Sequence, residues 1–120
     1  MDTPQIQSKK DKLKTIDWLI EQFPAAFFKD VSNIKPLKIG VLDDIIDFYE
    51  RLDSPAVSKK AIREALSYYS ASPAYLKCQK ANTARVDLFG IEVDVVTEDQ
   101  AKYAALRHSQ RYSNLRATNK

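Results

Sequence analysis

Apolar residues recur at the three- and four-residue spacing of an α-helix through most of this chain, in several short runs rather than one long one. Amphipathic helices of that length are stable only when their apolar faces pack together, so the pattern confines the chain to short helices wrapped around one core. Leu13, Ile16, Leu19, Ile20 and Phe23 form the first face from about Lys10, and Pro24 stops it because its ring fixes φ and removes a backbone donor. Val41, Leu42, Ile45, Ile46, Phe48, Tyr49 and Leu52 form the second, opposite Asp43, Asp44, Asp47 and Glu50, with an end near Asp53. A Ser58 cap opens the third, which turns Ile62, Ala65, Leu66 and Tyr69 inward and leaves Lys59, Lys60 and Arg63 in solvent. Ser72 as N-cap and Pro73 as first helical residue open a short fourth. Thr97 and Gln100 have the spacing of a capping box, which predicts a last helix through about Leu106 or further.

Two stretches fall outside that pattern. Between Ala25 and Gly40 a packed loop is expected, with Phe27, Phe28, Ile34, Leu37 and Ile39 sealing the core. Arg85 to Leu88 and Glu92 to Val95 carry β-branched residues around Phe89-Gly90, which predicts a two-stranded hairpin. The fold class is therefore mostly α with a small β-hairpin, a compact α+β unit of about five helices. At 120 residues one domain is expected, over 10–106, between a frayed leader at 1–9 and a basic tail at 107–120 that holds Arg107, Arg111, Arg116 and Lys120.

The chemistry-bearing residue types are scarce. Cys78 is the one cysteine, so no internal disulfide is available, and with His108 as the one histidine a structural zinc site lacks ligands. Two glycines cannot build a phosphate-cradling loop, and the carboxylates gather on the solvated face of the second helix. The expectation is a protein that is not an enzyme, with no metal and no cofactor. No stretch approaches the roughly 20 apolar residues that span a bilayer, and the polar start has no apolar signal core, so a soluble cytoplasmic protein with no membrane partner is expected.

Charge is unevenly spread. Nineteen Lys and Arg oppose sixteen Asp and Glu, for +3. From Leu42 to Asp53 five acids face one base, whereas Lys59, Lys60, Arg63, Lys77, Lys80 and Arg85 face Glu64 alone. With Lys35 and Lys38 these bases make a candidate face for a phosphate backbone; an ordinary solvated surface is the competing reading. The start of the fourth helix offers backbone donors and a positive dipole end beside the Ser70 and Ser72 hydroxyls. Tyr75, one turn in, is a candidate for base stacking, and Arg85 for charge and fork-shaped donors. Against this stands the plainer possibility that Ser72 is only a cap and Tyr75 a core aromatic.

The strings FPAAFF from Phe23, KPLKIGVLDDI from Lys35, VSKKAIREAL from Val57, YSASPAYLK from Tyr69 and ARVDLFG from Ala84 together resemble the ProQ/FinO domain, a bacterial RNA-chaperone module. The resemblance covers about Lys10 to Leu106 and keeps the family's order and spacing. It implies a non-enzymatic domain that binds structured RNA: small RNAs and mRNA 3′ ends, read as terminator hairpins with a single-stranded oligouridine end; a monomer is expected. By position Lys35, Lys38, Lys59 and Arg63 look like the family's backbone contacts, with Lys60 and Lys80 beside them. Tyr75 and Arg85 look like its 3′-end pocket, with Ser70 and Ser72 around the terminal phosphates. Members often carry an aromatic where Pro73 stands, a basic residue at Ser67 and Ala74, and Gly at Cys78, which implies lower RNA affinity or selectivity here. The chain also ends without the long basic linker and second domain of some members, so binding is expected before annealing or strand exchange. The competing functional classes are a protein-interaction domain on the same scaffold, with weak or no RNA binding, and a duplex-DNA binder using the basic face.

Overall fold

A computed structural model describes residues 9–113; of the leader expected over 1–9, residues 1–8 lie outside the described residues, as do Arg116 and Lys120 of the tail, while Lys9 is already helical. The elements in order are α1 (Lys9–Gln22), a 3-10 turn (Val31–Asn33), α2 (Val41–Tyr49), α3 (Lys59–Ser70), α4 (Pro73–Cys78), β1 (Ala84–Val86), β2 (Glu92–Val95), α5 (Glu98–His108) and a π turn (Ser109–Ser113). The five helices and the antiparallel β1–β2 pair agree with the fold class expected from sequence.

Each expected cap is made. Ser58 Oγ accepts from Ala61 N, Ser72 Oγ from Tyr75 N, and Thr97 and Gln100 satisfy one another in a complete capping box. The second helix is shorter than its apolar stripe. It closes at Tyr49, and Leu52 falls in the following turn, because Pro55 pushes the residue before it out of the helical region and Ser54 adopts φ +48°. Tyr49 then donates its hydroxyl to Val57 O at 2.8 Å, which ties that turn down.

The core lies between α1 and α3 and is closed by the 23–37 segment. Leu19, Phe23, Phe27, Ile45 and Ile62 are fully buried there. A series of rings runs through it: Phe48 edge-to-face on Phe23 at 4.9 Å, Phe23 tilted against Phe27 at 6.4 Å, Phe27 edge-to-face on Tyr69 at 5.1 Å, then Tyr69 tilted beside Tyr75 at 5.9 Å. These rings connect α2 to α4.

The hairpin is a little shorter than expected, with Arg85 opposite Asp94 and a bulge between Arg85 and Val86. Asp87 closes its turn by accepting from Phe89 N and Ile91 N, and Gly90 sits at φ +80° with its Cα against Ala25. A pairing absent from the sequence reading joins it to the loop: Val86 N donates to Pro36 O and Lys38 N to Val86 O, so Leu37 runs parallel beside β1. That short contact decides where the functional residues meet.

Candidate functional site

The Leu37 peptide is gripped from both sides. Its N–H donates to the Tyr75 hydroxyl at 3.0 Å, and its carbonyl accepts from Arg85 Nη1 at 2.9 Å. Arg85 Nη2 reaches Gln100 Oε1 at 3.2 Å, and the same oxygen accepts from Thr97 N in the α5 cap. One guanidinium therefore ties the loop before α2, the hairpin and the start of α5 together. Its Nε is buried without a hydrogen-bond partner, with the Asp94 carboxylate 3.7 Å away.

This assembly forms the wall of a concavity of about 370 Å³ lined by Ser70, Tyr75, Leu76, Gln79, Arg85 and, from α5, Asp99, Gln100, Tyr103, Ala104 and Arg107. Ser70, Tyr75 and Arg85 are thus brought to one place, as the sequence reading requires. Their availability differs from that reading. Tyr75 is 9% exposed and Arg85 7%, so both belong mainly to the wall. Burial also pushes the Tyr75 phenol above its ordinary pKa, keeping it neutral.

Ser72 departs from the expected placement. Its hydroxyl donates to Tyr69 O at 2.8 Å and accepts from Tyr75 N at 3.2 Å, and it faces the clefts on the α1 side of the 70–72 corner rather than this concavity. In a helix of six residues that bond uses one of few free donors. Ser72 is thus placed as a cap. Ser70 Oγ bonds back to Leu66 O at 2.9 Å while still lining the concavity.

Sequence reasoning missed Tyr103 and Arg107. Tyr103 is 62% exposed, and the Arg107 guanidinium lies 5.8 Å from its ring centroid. The one broad aromatic surface open to a ligand in this concavity is therefore on α5. A signal was available: Gln100, Tyr103, Ala104 and Arg107 follow i, i+3, i+4, i+7 and share one helical face. Nothing in the chain's pattern told that this face turns towards α4.

The basic residues are spread around the fold. Arg63 and Lys60 are exposed on α3, and Lys59 at its first turn pairs with Glu50, the C-cap of α2. Lys38 donates to Asp44 at 2.7 Å, and that bond raises its pKa; the Lys59 bond lowers that of Glu50. Lys35 lies 5.7 Å from the Phe28 ring centroid. Lys80 lines a separate hollow between α4 and α5 with Lys77 and His108. The acidic face of α2 thus engages two of the expected backbone contacts, which a phosphate would have to win from carboxylates. Among the described residues no cluster of His, Cys, Asp and Glu has the make-up of a metal site, and no helix is long and apolar enough to cross a membrane.

The profile of the ProQ/FINO family matches residues 9–120. The RNA chaperone ProQ of Aeromonas salmonicida is 39% identical over 116 residues, covering 92% of this chain and 53% of that protein. The chain spans about half the length of the curated relatives it matches. Among solved structures, a ProQ homolog from Legionella pneumophila studied by NMR is 66% identical, with a TM-score of 0.76 over 93% of this chain and 92% of that one. NMB1681 from Neisseria meningitidis, a FinO-like RNA chaperone, shares the fold at 21% identity, with a TM-score of 0.62 over 88% of this chain and 87% of that one.

Proposed function

This chain belongs to the ProQ/FinO family, and on that premise we propose that it is an RNA-binding chaperone domain that takes the single-stranded 3′ end of a structured RNA into the α4/α5 concavity. The observation that carries the reading is the convergence of Ser70, Tyr75, Arg85, Tyr103 and Arg107 on that one hollow. Tyr103 offers a face for a terminal base, Arg107 a charge for its phosphate, and the clamped Tyr75–Leu37–Arg85 wall a rigid floor. The stem lies along Lys35, Lys38, Lys59, Lys60 and Arg63, with Lys80 towards its flank. A-form duplexes hide their base edges in a deep groove, so a small domain of this kind reads shape, phosphates and a free end rather than sequence. That chemistry suits small RNAs and terminator hairpins with an oligouridine end, acting in post-transcriptional regulation in the cytoplasm.

The RNA-binding unit is residues 10–106 together with Arg107, acting as a monomer, with the rest of the basic segment over 107–120 as an auxiliary contact. No catalytic step, metal or cofactor enters this reading. The test is binding of a terminator hairpin across a salt series. Salt-dependent binding that is lost when the 3′ tail is trimmed supports the proposal. Binding indifferent to the tail contradicts the end-capture part, and no RNA binding leaves the protein-interaction alternative, for which the exposed Phe89, Ile91, Val93 and Val95 of the hairpin are the candidate surface.

A further inference from the structure

A second hollow lies on the other side of the 70–72 corner. About 560 Å³ in volume, it is lined by Lys12 of α1, by Ser67, Tyr68 and Ala71 at the end of α3, and by Arg111 and Tyr112 of the π turn. It is a built feature, because the Tyr112 hydroxyl donates to Ala71 O at 2.8 Å and holds the π turn onto the end of α3, with the His108 ring 5.0 Å from that of Tyr112. Each wall pairs a cation with an aromatic ring: Lys12 Nζ stands 5.6 Å from the Tyr68 centroid and the Arg111 guanidinium 5.9 Å from that of Tyr112. Glu64 is the opposing charge in the lining.

Two spacings connect this cleft to the site already described. Arg107 lines the α4/α5 concavity and Arg111 this cleft, four residues further along the same turning segment. Lys60, Arg63 and Ser67 recur along α3 at helical spacing, so the basic face of that helix runs into the cleft. The rings are half-buried, and cations beside aromatic rings in a groove are the elements that bind single-stranded nucleic acid without reading its sequence.

We propose that the Lys12–Arg111 cleft binds the backbone of the single-stranded RNA tail upstream of its 3′ end, between the terminal site and the stem on α3. This rests on the proposed capture of the 3′ end, and adds a second subsite on the same strand.

The test compares a terminator hairpin bearing a long oligouridine tail with the same hairpin trimmed to its last few nucleotides, for the wild-type chain, the Lys12→Ala/Arg111→Ala double variant and Glu64→Gln. The double variant is expected to bind the long-tailed RNA roughly tenfold more weakly, with a salt slope shallower by about 1.4, the value for two lost single-strand phosphate contacts, and to bind the short-tailed RNA as the wild type does. Glu64→Gln is expected to strengthen long-tail binding, which damage to the fold would not do. Equal losses on both RNAs, an unchanged slope or no gain from Glu64→Gln overturns the subsite. If the wild-type chain binds neither RNA, the parent reading falls and this one with it, a result distinct from selective failure of the variants.

Discussion

Tyr75 and Tyr103 sit in one hollow and do opposite things. The Tyr75 hydroxyl accepts from Leu37 N inside the wall, so Tyr75→Phe leaves a buried N–H without its partner and is expected to cost about 1–3 kcal/mol in urea denaturation. Tyr103 holds up nothing comparable. Tyr103→Ala is expected to leave stability within about 0.5 kcal/mol and to remove about 1–3 kcal/mol of RNA-binding free energy. The reverse pattern would place the stacking face on α4. Arg85 is a poor probe, because two of its donors hold Leu37 and Gln100 and its loss would loosen the fold and the site together. At this scale the sequence was informative wherever chemistry is local. Ser72 reads as a cap because a hydroxyl three residues before Tyr75 N, followed by Pro73, has few other uses. It was silent on which tyrosine is exposed, since exposure depends on how α5 docks on α4, a long-range outcome that residue type does not encode.

Among the elements the hairpin shows how one position holds a contact between distant segments. Gly90 has φ +80°, and a Cβ there would lie 2.9 Å from Ala25 Cβ. Gly90→Ala is therefore expected to destabilise by about 1–2 kcal/mol from the left-handed backbone alone, and by more once Ala25 is displaced, read as a lower midpoint of thermal unfolding. An unchanged midpoint would mean that the hairpin tip does not pack on the loop after α1. The acidic face of α2 makes a second claim of element size. Asp44→Asn releases Lys38, and the expected outcome is tighter RNA binding with a steeper salt slope; weaker binding would show that the pair positions Lys38 rather than competing for it. The helices were legible from periodicity and capping chemistry, and the hairpin from its β-branched residues and glycine turn. The Leu37 bridge was not, because a single parallel pairing leaves no alternation to find.

Across the whole molecule the buried aromatic series sets a pH limit. Burial pushes Tyr69 up to about 12 and raises Tyr75, and it pushes the Cys78 thiol up to about 11. In the unfolded chain phenols titrate near pH 10 and thiols near 8.5, so above those values the folded state holds more protons than the unfolded one. Stability from these groups is therefore complete below about pH 8.5 and falls as pH rises towards 11–12. Urea midpoints are expected to hold steady to about pH 8.5 and then decline, and Cys78→Ala should keep the part of that decline due to the tyrosines. A flat profile to pH 11 would contradict the burial of these groups. The basic surface was visible in the sequence as a bias of charge, but its pairing with α2 was not, since Lys38–Asp44 and Lys59–Glu50 join residues of different segments.

The central claim, that the α4/α5 concavity receives a free RNA 3′ end, is tested most directly by competition among three forms of one terminator hairpin: with a free 3′ hydroxyl, with a 3′ phosphate, and with a structured 3′ extension. In the wild-type chain the free end should bind most tightly, and in Tyr103→Ala and Arg107→Ala that preference should shrink while the affinity common to all three RNAs persists. Equal binding of all three by the wild-type chain would leave a general duplex binder and contradict the assignment of the concavity.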